Sequence, residues 1–180
     1  MNELDASTPK GPPSHLLLVV GSLVLAWCAY LYFFGPRAEN KARGAADYGL
    51  KLKDLDGKPI DFARYRGRVV FLNLWATWCP PCRAEMPSIA RLVANPRVKD
   101  VVFLCASVED DPGGIRAYAR QAKLSLPLVI ADGPVPSVYQ TEGIPATFVI
   151  GRDGRIAMAE VGSAEWDAPD VVSKLEALTK

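Results

Sequence analysis

The sequence predicts an α/β fold in which helices flank a central mixed sheet. Two runs of apolar, β-favouring residues, RVVFLNLW at 68–75 and VVFLCASV at 101–108, are typical of strands that are covered on both faces. A segment with helical periodicity follows each of these runs, and a hairpin comes later in the chain. This alternation predicts two parallel strands joined by crossovers, with an antiparallel pair completing the sheet.

The elements can be assigned in order along the chain. LKLKDLDGKPI alternates apolar and charged residues around Asp56-Gly57, so it predicts a small N-terminal hairpin. The helix expected at 81–94 contains Pro87 and has an apolar face, with Glu85 expected to face solvent. The remaining elements are a helix at 111–123, strands at 127–131, 146–150 and 155–161, and a last helix capped by Asp167.

The segment LLLVVGSLVLAWCAYLYFF, at 16–34, contains no charged residue. A helix of this length approaches the roughly 30 Å hydrocarbon thickness of a bilayer. We expect one transmembrane helix that stays attached, because its apolar run is longer than that of a cleaved signal peptide. The chain then divides into an N-terminal tail at 1–15, this helix, a linker at 35–47 and a folded domain at 48–180.

Charge gives two further indications. The chain has 21 basic and 20 acidic side chains, a net charge of +1, and this balance argues against nucleic acid as a partner. Lys10 is the only lysine or arginine before the apolar segment, whereas Arg37, Lys41 and Arg43 follow it closely. By the positive-inside rule alone, the folded domain would lie in the cytoplasm.

Cys79 and Cys82, in WATWCPPC, have three chemical interpretations: a metal clip, a structural disulfide or a redox couple. Structural zinc needs four ligands, and a copper relay would need a histidine near its cysteines. The only histidine is His15, which precedes the apolar segment. We therefore expect no metal and no cofactor, and we interpret the pair as a dithiol-disulfide couple.

The position of Cys79 favours its role as the attacking sulfur. It stands where a predicted strand gives way to a helix, so free N–H groups and the positive end of the helix dipole favour its thiolate. Pro80 and Pro81 remove two N–H donors and tune the redox balance, but they leave the direction of electron flow open. Cys105 lies inside an apolar run and is expected to pack in the core.

FLNLWATWCPPCRAEMPSI, with the later EGIPATFVIGRDGRI, resembles the membrane-anchored TlpA/ResA-like branch of the thioredoxin superfamily over about residues 48–178. The resemblance implies a thioredoxin-like fold in which Cys79 is the exposed nucleophile and Cys82 resolves the mixed disulfide. It also implies that Pro145 is a cis-proline facing the site and that the Ile144 backbone pairs with an extended substrate. Specificity would then come from nearby side chains such as Trp78.

Asn73 departs from the pattern of ordinary thioredoxin, which has a buried acid six residues before its first cysteine. An amide cannot exchange a proton at neutral pH, so the proton acceptor for Cys82 is unassigned. The TlpA-like branch commonly shares this asparagine. Glu85, one helical turn beyond Cys82, is a weak candidate for the acceptor, since a solvated surface position is the expectation for it.

The resemblance also bears on compartment and partners. It implies an inner-membrane protein of bacteria whose domain faces the periplasm, the reverse of the orientation that the flanking charges favour. Clients would be protein disulfides, including those of apocytochrome c, and a membrane thiol carrier would supply electrons. We therefore predict a membrane-tethered reductant of protein disulfides. Two alternatives stay open: an oxidant that forms disulfides with the same cysteines, and a copper-relay module.

Overall fold

The computed structural model describes residues 44–180 and, before them, Leu23 alone. The expected tail and, Leu23 apart, the expected transmembrane helix at 16–34 lie outside the described residues. Within the described part, no helix combines the length and the apolar character that crossing a bilayer requires.

Residues 44–180 form one mixed sheet with helices packed against it. The strands are β1 (Lys51–Lys53), β2 (Pro59–Asp61), β3 (Val70–Trp75), β4 (Val102–Ser107), β5 (Leu128–Ala131), β6 (Ala146–Ile150) and β7 (Ile156–Val161). Across the sheet the strand order is β2-β1-β5-β4-β3-β6-β7. The α-helices are α1 (Pro80–Val93), α2 (Pro112–Gln121) and α3 (Pro169–Leu178), and short 3-10 helices cover Phe62–Tyr65, Pro96–Val98 and Ser137–Tyr139.

The sheet has more parallel pairing than the sequence predicted. β3, β4 and β5 are all parallel, so three strands run the same way where two were expected. The reason is that α2 carries the chain back over the sheet, as α1 does, before β5 begins. β6 and β7 are antiparallel to their neighbours, as predicted, and β1 joins β5 in antiparallel fashion.

The predicted N-terminal hairpin is present and extends one edge of the sheet. Lys51 pairs with Asp61, and Lys53 pairs with Pro59. At its tip Gly57 has a φ of +83°, a conformation that costs glycine little, and Asp54 Oδ1 accepts hydrogen bonds from two backbone N–H groups of the turn. The Asp-Gly signal therefore predicted this turn correctly.

β3 lies inside the sheet, between β4 and β6, and is buried at all six positions. Because side chains alternate along a strand, Phe71 and Trp75 face one side while Leu72 and Leu74 face the other. The buried apolar residues of α1, α2 and α3 all pack with Phe71 and Trp75. Asn73 shares that face, so the alternation points its amide towards the helices.

The start of α3 differs from the prediction. Asp167 was expected to cap this helix, but the N-cap residue is Ala168, which makes no side-chain capping hydrogen bond. Asp167 instead accepts two hydrogen bonds from the Arg91 guanidinium, at 2.5 Å and 3.1 Å. The guanidinium engages both carboxylate oxygens of Asp167, whereas a capping bond would use only one of them.

Candidate active site

Cys79 and Cys82 form a disulfide where β3 gives way to α1. Cys79 is the N-cap residue of α1, and its Sγ accepts a hydrogen bond from the Cys82 backbone N–H at 3.2 Å. Cys79 keeps 4% of its surface exposed and Cys82 keeps none. Cys79 is thus the more accessible sulfur, as the resemblance implies, although it is far less exposed than expected because the neighbouring loops cover it.

The loop before β6 lies against this disulfide. The Ile144–Pro145 peptide bond is cis, as expected from the resemblance. The Ile144 carbonyl oxygen lies 3.7 Å from Cys79 Sγ. β6 is antiparallel to β3 and pairs Ala146 with Leu74, so the sheet itself places this loop beside the strand that ends at the cysteines. A main-chain acceptor is therefore available next to the attacking sulfur.

An apolar groove of about 300 Å³ opens beside the cysteines and the cis-proline loop. Trp78 is 66% exposed, which is unusual for so large an apolar side chain, and Val108 is also exposed. The groove is lined by Trp78, Val108, Val135, Gly143 and Ile144, among others. The structure thus brings together the sequence-predicted residues Trp78 and Ile144 at one surface, with apolar walls on both sides.

A carboxylate that the sequence did not single out fixes the loop between β3 and Cys79. The Thr77 backbone N–H donates to Glu109 Oε1 at 2.7 Å. Glu109 is held in turn through its backbone N–H, which donates to Ser107 Oγ at 3.1 Å. This contact joins the residues that follow β3 to those that follow β4. No pattern in the sequence near Glu109 predicts it.

Glu85 is buried, so the expectation that it faces solvent is wrong. It is 1% exposed, and its carboxylate accepts three hydrogen bonds. Asn73 Nδ2 donates to Oε1 at 2.8 Å, while Trp166 Nε1 and the Ala164 backbone N–H donate to Oε2 at 2.9 Å and 3.2 Å. Three donors offset much of the cost of burying a carboxylate.

The sequence did contain a signal for this burial. Glu85 is three residues after Cys82 and four before Ile89, which are the spacings of one helix face. Both neighbours are fully buried. Its charge suggested the solvent side, but its position in the helix places it on the apolar stripe.

Burial raises the pKa of Glu85 above its ordinary value, while hydrogen bonds from Trp166, Asn73 and Ala164 act in the opposite direction. Asn73 also donates to Thr147 Oγ1 at 2.9 Å, so both amide hydrogens have acceptors. Among the described residues, Asn73 Oδ1 is a buried atom without a hydrogen-bond partner. The Asn73 amide thus faces Glu85 with one unused acceptor, which a protonated carboxyl could use after the amide rotates.

Cys105 packs in the core, as predicted. Burial raises the pKa of its thiol to about 12, and the nearby charge of Glu85 adds to this effect. A thiol with so high a pKa is not a nucleophile at neutral pH. The reactive sulfur chemistry of the described residues therefore belongs to Cys79 and Cys82.

Comparison with known proteins identifies the family of the chain. The AhpC/TSA family model matches residues 44–159. The chain is 31% identical over 147 residues to the thiol-disulfide oxidoreductase ResA of Halalkalibacterium halodurans, covering 81% of this chain and 83% of that protein. It is 30% identical over 164 residues to ResA of Geobacillus thermodenitrificans, covering 91% of each chain.

A solved structure gives the same fold. The thiol:disulfide interchange protein of the thioredoxin family from Chlorobium tepidum TLS superposes with a TM-score of 0.60 at 23% identity, covering 78% of this chain and 99% of that one. The likeness supports the thioredoxin-like architecture derived above. With the family match, the ResA relatives and the paired cysteines, the chain belongs to the AhpC/TSA family and is a ResA-like thiol-disulfide oxidoreductase.

Proposed function

We propose that this oxidoreductase is a membrane-tethered reductant of protein disulfides outside the cytoplasm. The observation that carries the proposal is the position of Cys79 Sγ, 3.7 Å from the Ile144 carbonyl at the edge of the apolar groove. An extended client could pair with the Ile144 main chain, place apolar side chains against Trp78, and present its disulfide to Cys79.

In the first step, the Cys79 thiolate attacks one sulfur of the client disulfide. A Cys79–client disulfide forms, and the second client sulfur leaves as a thiolate. The free end of α1 stabilises the attacking thiolate, because the Cys82 N–H already points at Cys79 Sγ. The outcome is a covalent complex between enzyme and client.

In the second step, Cys82 attacks Cys79 Sγ, and the first client sulfur leaves. The client has gained two electrons, and Cys79–Cys82 is the oxidised product, which is the form of the structure described above. Cys82 must lose its proton before it attacks. Glu85, one helical turn away and held by Asn73, is the proposed acceptor of that proton.

The proposed compartment and partners are supported by the sequence and by its family resemblance. The uncharged segment at 16–34 would anchor the chain in the bacterial inner membrane with the domain in the periplasm. A membrane thiol carrier would then reduce Cys79–Cys82 again. Disulfides of apocytochrome c are candidate clients, since the family resemblance of the sequence implies them. A reporter fused after Lys180 tests the orientation: activity only in the cytoplasm would contradict it.

Trapping tests the two-step mechanism. In the Cys82→Ser protein the second step is blocked, so covalent complexes with clients should accumulate and disappear on treatment with dithiothreitol. Replacing Cys105 as well should not change the yield, because that thiol is buried with a raised pKa. The Cys79→Ser protein should form none. A folded Cys82→Ser protein that forms no complexes would contradict the mechanism.

The reduction potential tests the direction. A potential near or below that of the glutathione couple would fit a reductant, and a potential well above it would favour the disulfide-forming alternative. Tight, stoichiometric copper binding by the reduced protein would favour a copper relay.

A further inference from the structure

Residues 164–167, between β7 and α3, are bound to α1 by three side chains of that helix, which are spaced three residues apart in the sequence. We name this contact the α1 clip and define it by Glu85, Ser88 and Arg91 on the helix. Glu85 accepts from Ala164 N and Trp166 Nε1, and Ser88 Oγ accepts from Trp166 N at 3.1 Å. Arg91 pairs with Asp167 at the outer end.

Two of the three donors to Glu85 come from this loop rather than from the sheet. Both point at Oε2, whereas Asn73 on β3 donates to Oε1. An N–H group can donate to a carboxyl group but cannot accept its proton. The two loop donors therefore disfavour a proton on Oε2. Oε1 has one donor, the Asn73 amide, which can rotate to present its unused Oδ1 instead, so Oε1 is the oxygen that can take up a proton.

The indole of Trp166 is held rigidly enough to direct that hydrogen bond. Its ring meets the Phe71 ring edge to face, with centroids 5.0 Å apart and an interplanar angle of 90°. The side chain is 2% exposed, and its own backbone N–H is bound by Ser88. A donor fixed in this way costs little entropy when it orients the carboxylate.

We propose that Trp166 is a positioning residue for thiol-disulfide exchange: its indole N–H orients Glu85 so that Oε1 accepts the proton of Cys82. The inference rests on the proposed function, in which Glu85 is that acceptor. Among the described residues, the Cys105 thiol on β4 is near enough for the charge of Glu85 to act on it, and Cys82 precedes Glu85 by about one turn of α1. Arg91 and Asp167 neutralise each other at the far end of the clip.

The proposal predicts a shift in a pH profile. Reduced protein is mixed with 5,5′-dithiobis(2-nitrobenzoate), whose disulfide Cys79 attacks to release one coloured thiolate. Attack by Cys82 then releases a second, and the rate of this second release is followed from pH 4 to pH 9. Without the indole N–H, Glu85 ionises at higher pH, so the Trp166→Phe protein should show a midpoint roughly half to one pH unit higher, with the same plateau.

A second variant keeps the shape of the side chain. Benzothienylalanine at position 166 replaces the indole N–H with sulfur and preserves packing on Phe71, so it should give the same shift as Trp166→Phe. The matched control is Trp75→Phe, which removes another buried indole donor, the one that binds the Cys105 carbonyl at 3.3 Å. The pH profile of Trp75→Phe should have the same midpoint as that of the unchanged protein. Thermal unfolding of each variant checks that it is folded.

A double variant tests whether Trp166 acts through Glu85. In a Glu85→Gln background, Trp166→Phe should produce no shift, because no carboxylate is left to orient. An unchanged midpoint in both position-166 variants, or a full shift in the Glu85→Gln background, would overturn the proposal. Failure of the two-step exchange in the proposed function looks different: the unchanged protein would then release one coloured thiolate per chain instead of two.

Discussion

At the scale of single residues, the carboxyl group of Glu85 is the least ordinary feature of the domain. Burial raises its pKa, so the folded state binds the proton more tightly than the unfolded chain does. By linkage, the stability that Glu85 contributes is fully present below the ordinary glutamate pKa of 4.5 and is lost as the pH rises through the folded value. A neutral replacement of the same shape should remove this dependence.

We therefore predict opposite outcomes for two changes at Glu85. In Glu85→Gln, the Asn73 amide can rotate so that Oδ1, which now lacks a partner, accepts from the new side-chain amide. Its free energy of unfolding should lose the decline with rising pH, as urea titrations at pH 4.5 and pH 7.5 would measure. Glu85→Ala leaves buried donors of Asn73, Ala164 and Trp166 unpaired and should cost about 2–4 kcal/mol.

Two results would contradict this interpretation. The first is a Glu85→Ala protein as stable as the Glu85→Gln protein, since it would mean that the three donors find other partners. The second is a decline with pH that persists in Glu85→Gln, because another group would then be its source.

At the scale of elements, α1 joins the reactive cysteines to the rest of the fold. Its N-terminus carries Cys79, its apolar stripe packs under β3, and the α1 clip fastens its side to the loop before α3. The inner contacts of the clip are buried and the outer pair, Arg91 and Asp167, is exposed to solvent. The inner contacts should therefore contribute most to stability, because exposed ion pairs contribute about 1 kcal/mol or less.

Replacing Ser88 tests this ranking. Ser88→Ala removes the acceptor for the Trp166 N–H and leaves that group buried and unpaired, so it should cost about 1–2 kcal/mol of unfolding free energy. Ser173→Ala is the matched control, since its hydroxyl donates to Pro169 O on the exposed side of α3. If chemical denaturation shows equal losses of unfolding free energy for the two serine variants, the Ser88 contact of the α1 clip adds no stability beyond that of an exposed serine.

The sequence patterns that predict helices, strands and turns are local. Pro80 at the start of α1, the apolar run of β3 and Asp56-Gly57 in the hairpin each act within a few residues, so these elements could be predicted. The clip could not, because Trp166 is 81 residues from Glu85 and only the packed fold brings them together. For the same reason, the sequence predicted that Glu85 faces solvent and that Asp167 caps α3.

At the scale of the whole molecule, residues that precede the first strand pack against the rest of the domain. The Ala46 N–H donates to the Gly154 carbonyl at 2.8 Å, and the Ile156 N–H donates to the Gly44 carbonyl at 3.2 Å. Tyr48 is buried against Phe62, with ring centroids 5.4 Å apart. Residues 44–49 are thus part of the packed structure, although the sequence placed 44–47 in a linker.

We predict that a fragment of residues 44–180 unfolds in a single cooperative step, and that a fragment of residues 50–180 is about 3–5 kcal/mol less stable. The loss corresponds to removing a large buried aromatic side chain. Tyr48→Phe in the longer fragment is the control: the hydroxyl is buried and has no hydrogen-bond partner within residues 44–180, so its removal should not lower stability. Urea titration measures all three proteins. Equal midpoints for the two fragments would refute the prediction.

The pairing of Gly44 with Ile156 also determines where the chain approaches the domain. Ile156 pairs with Ile150, and Ile150 with Val70, the first residue of β3, whereas Cys79 follows the last. The six residues of β3 span about 17 Å between these ends. The chain therefore enters the domain at the end of β3 that lies away from the disulfide.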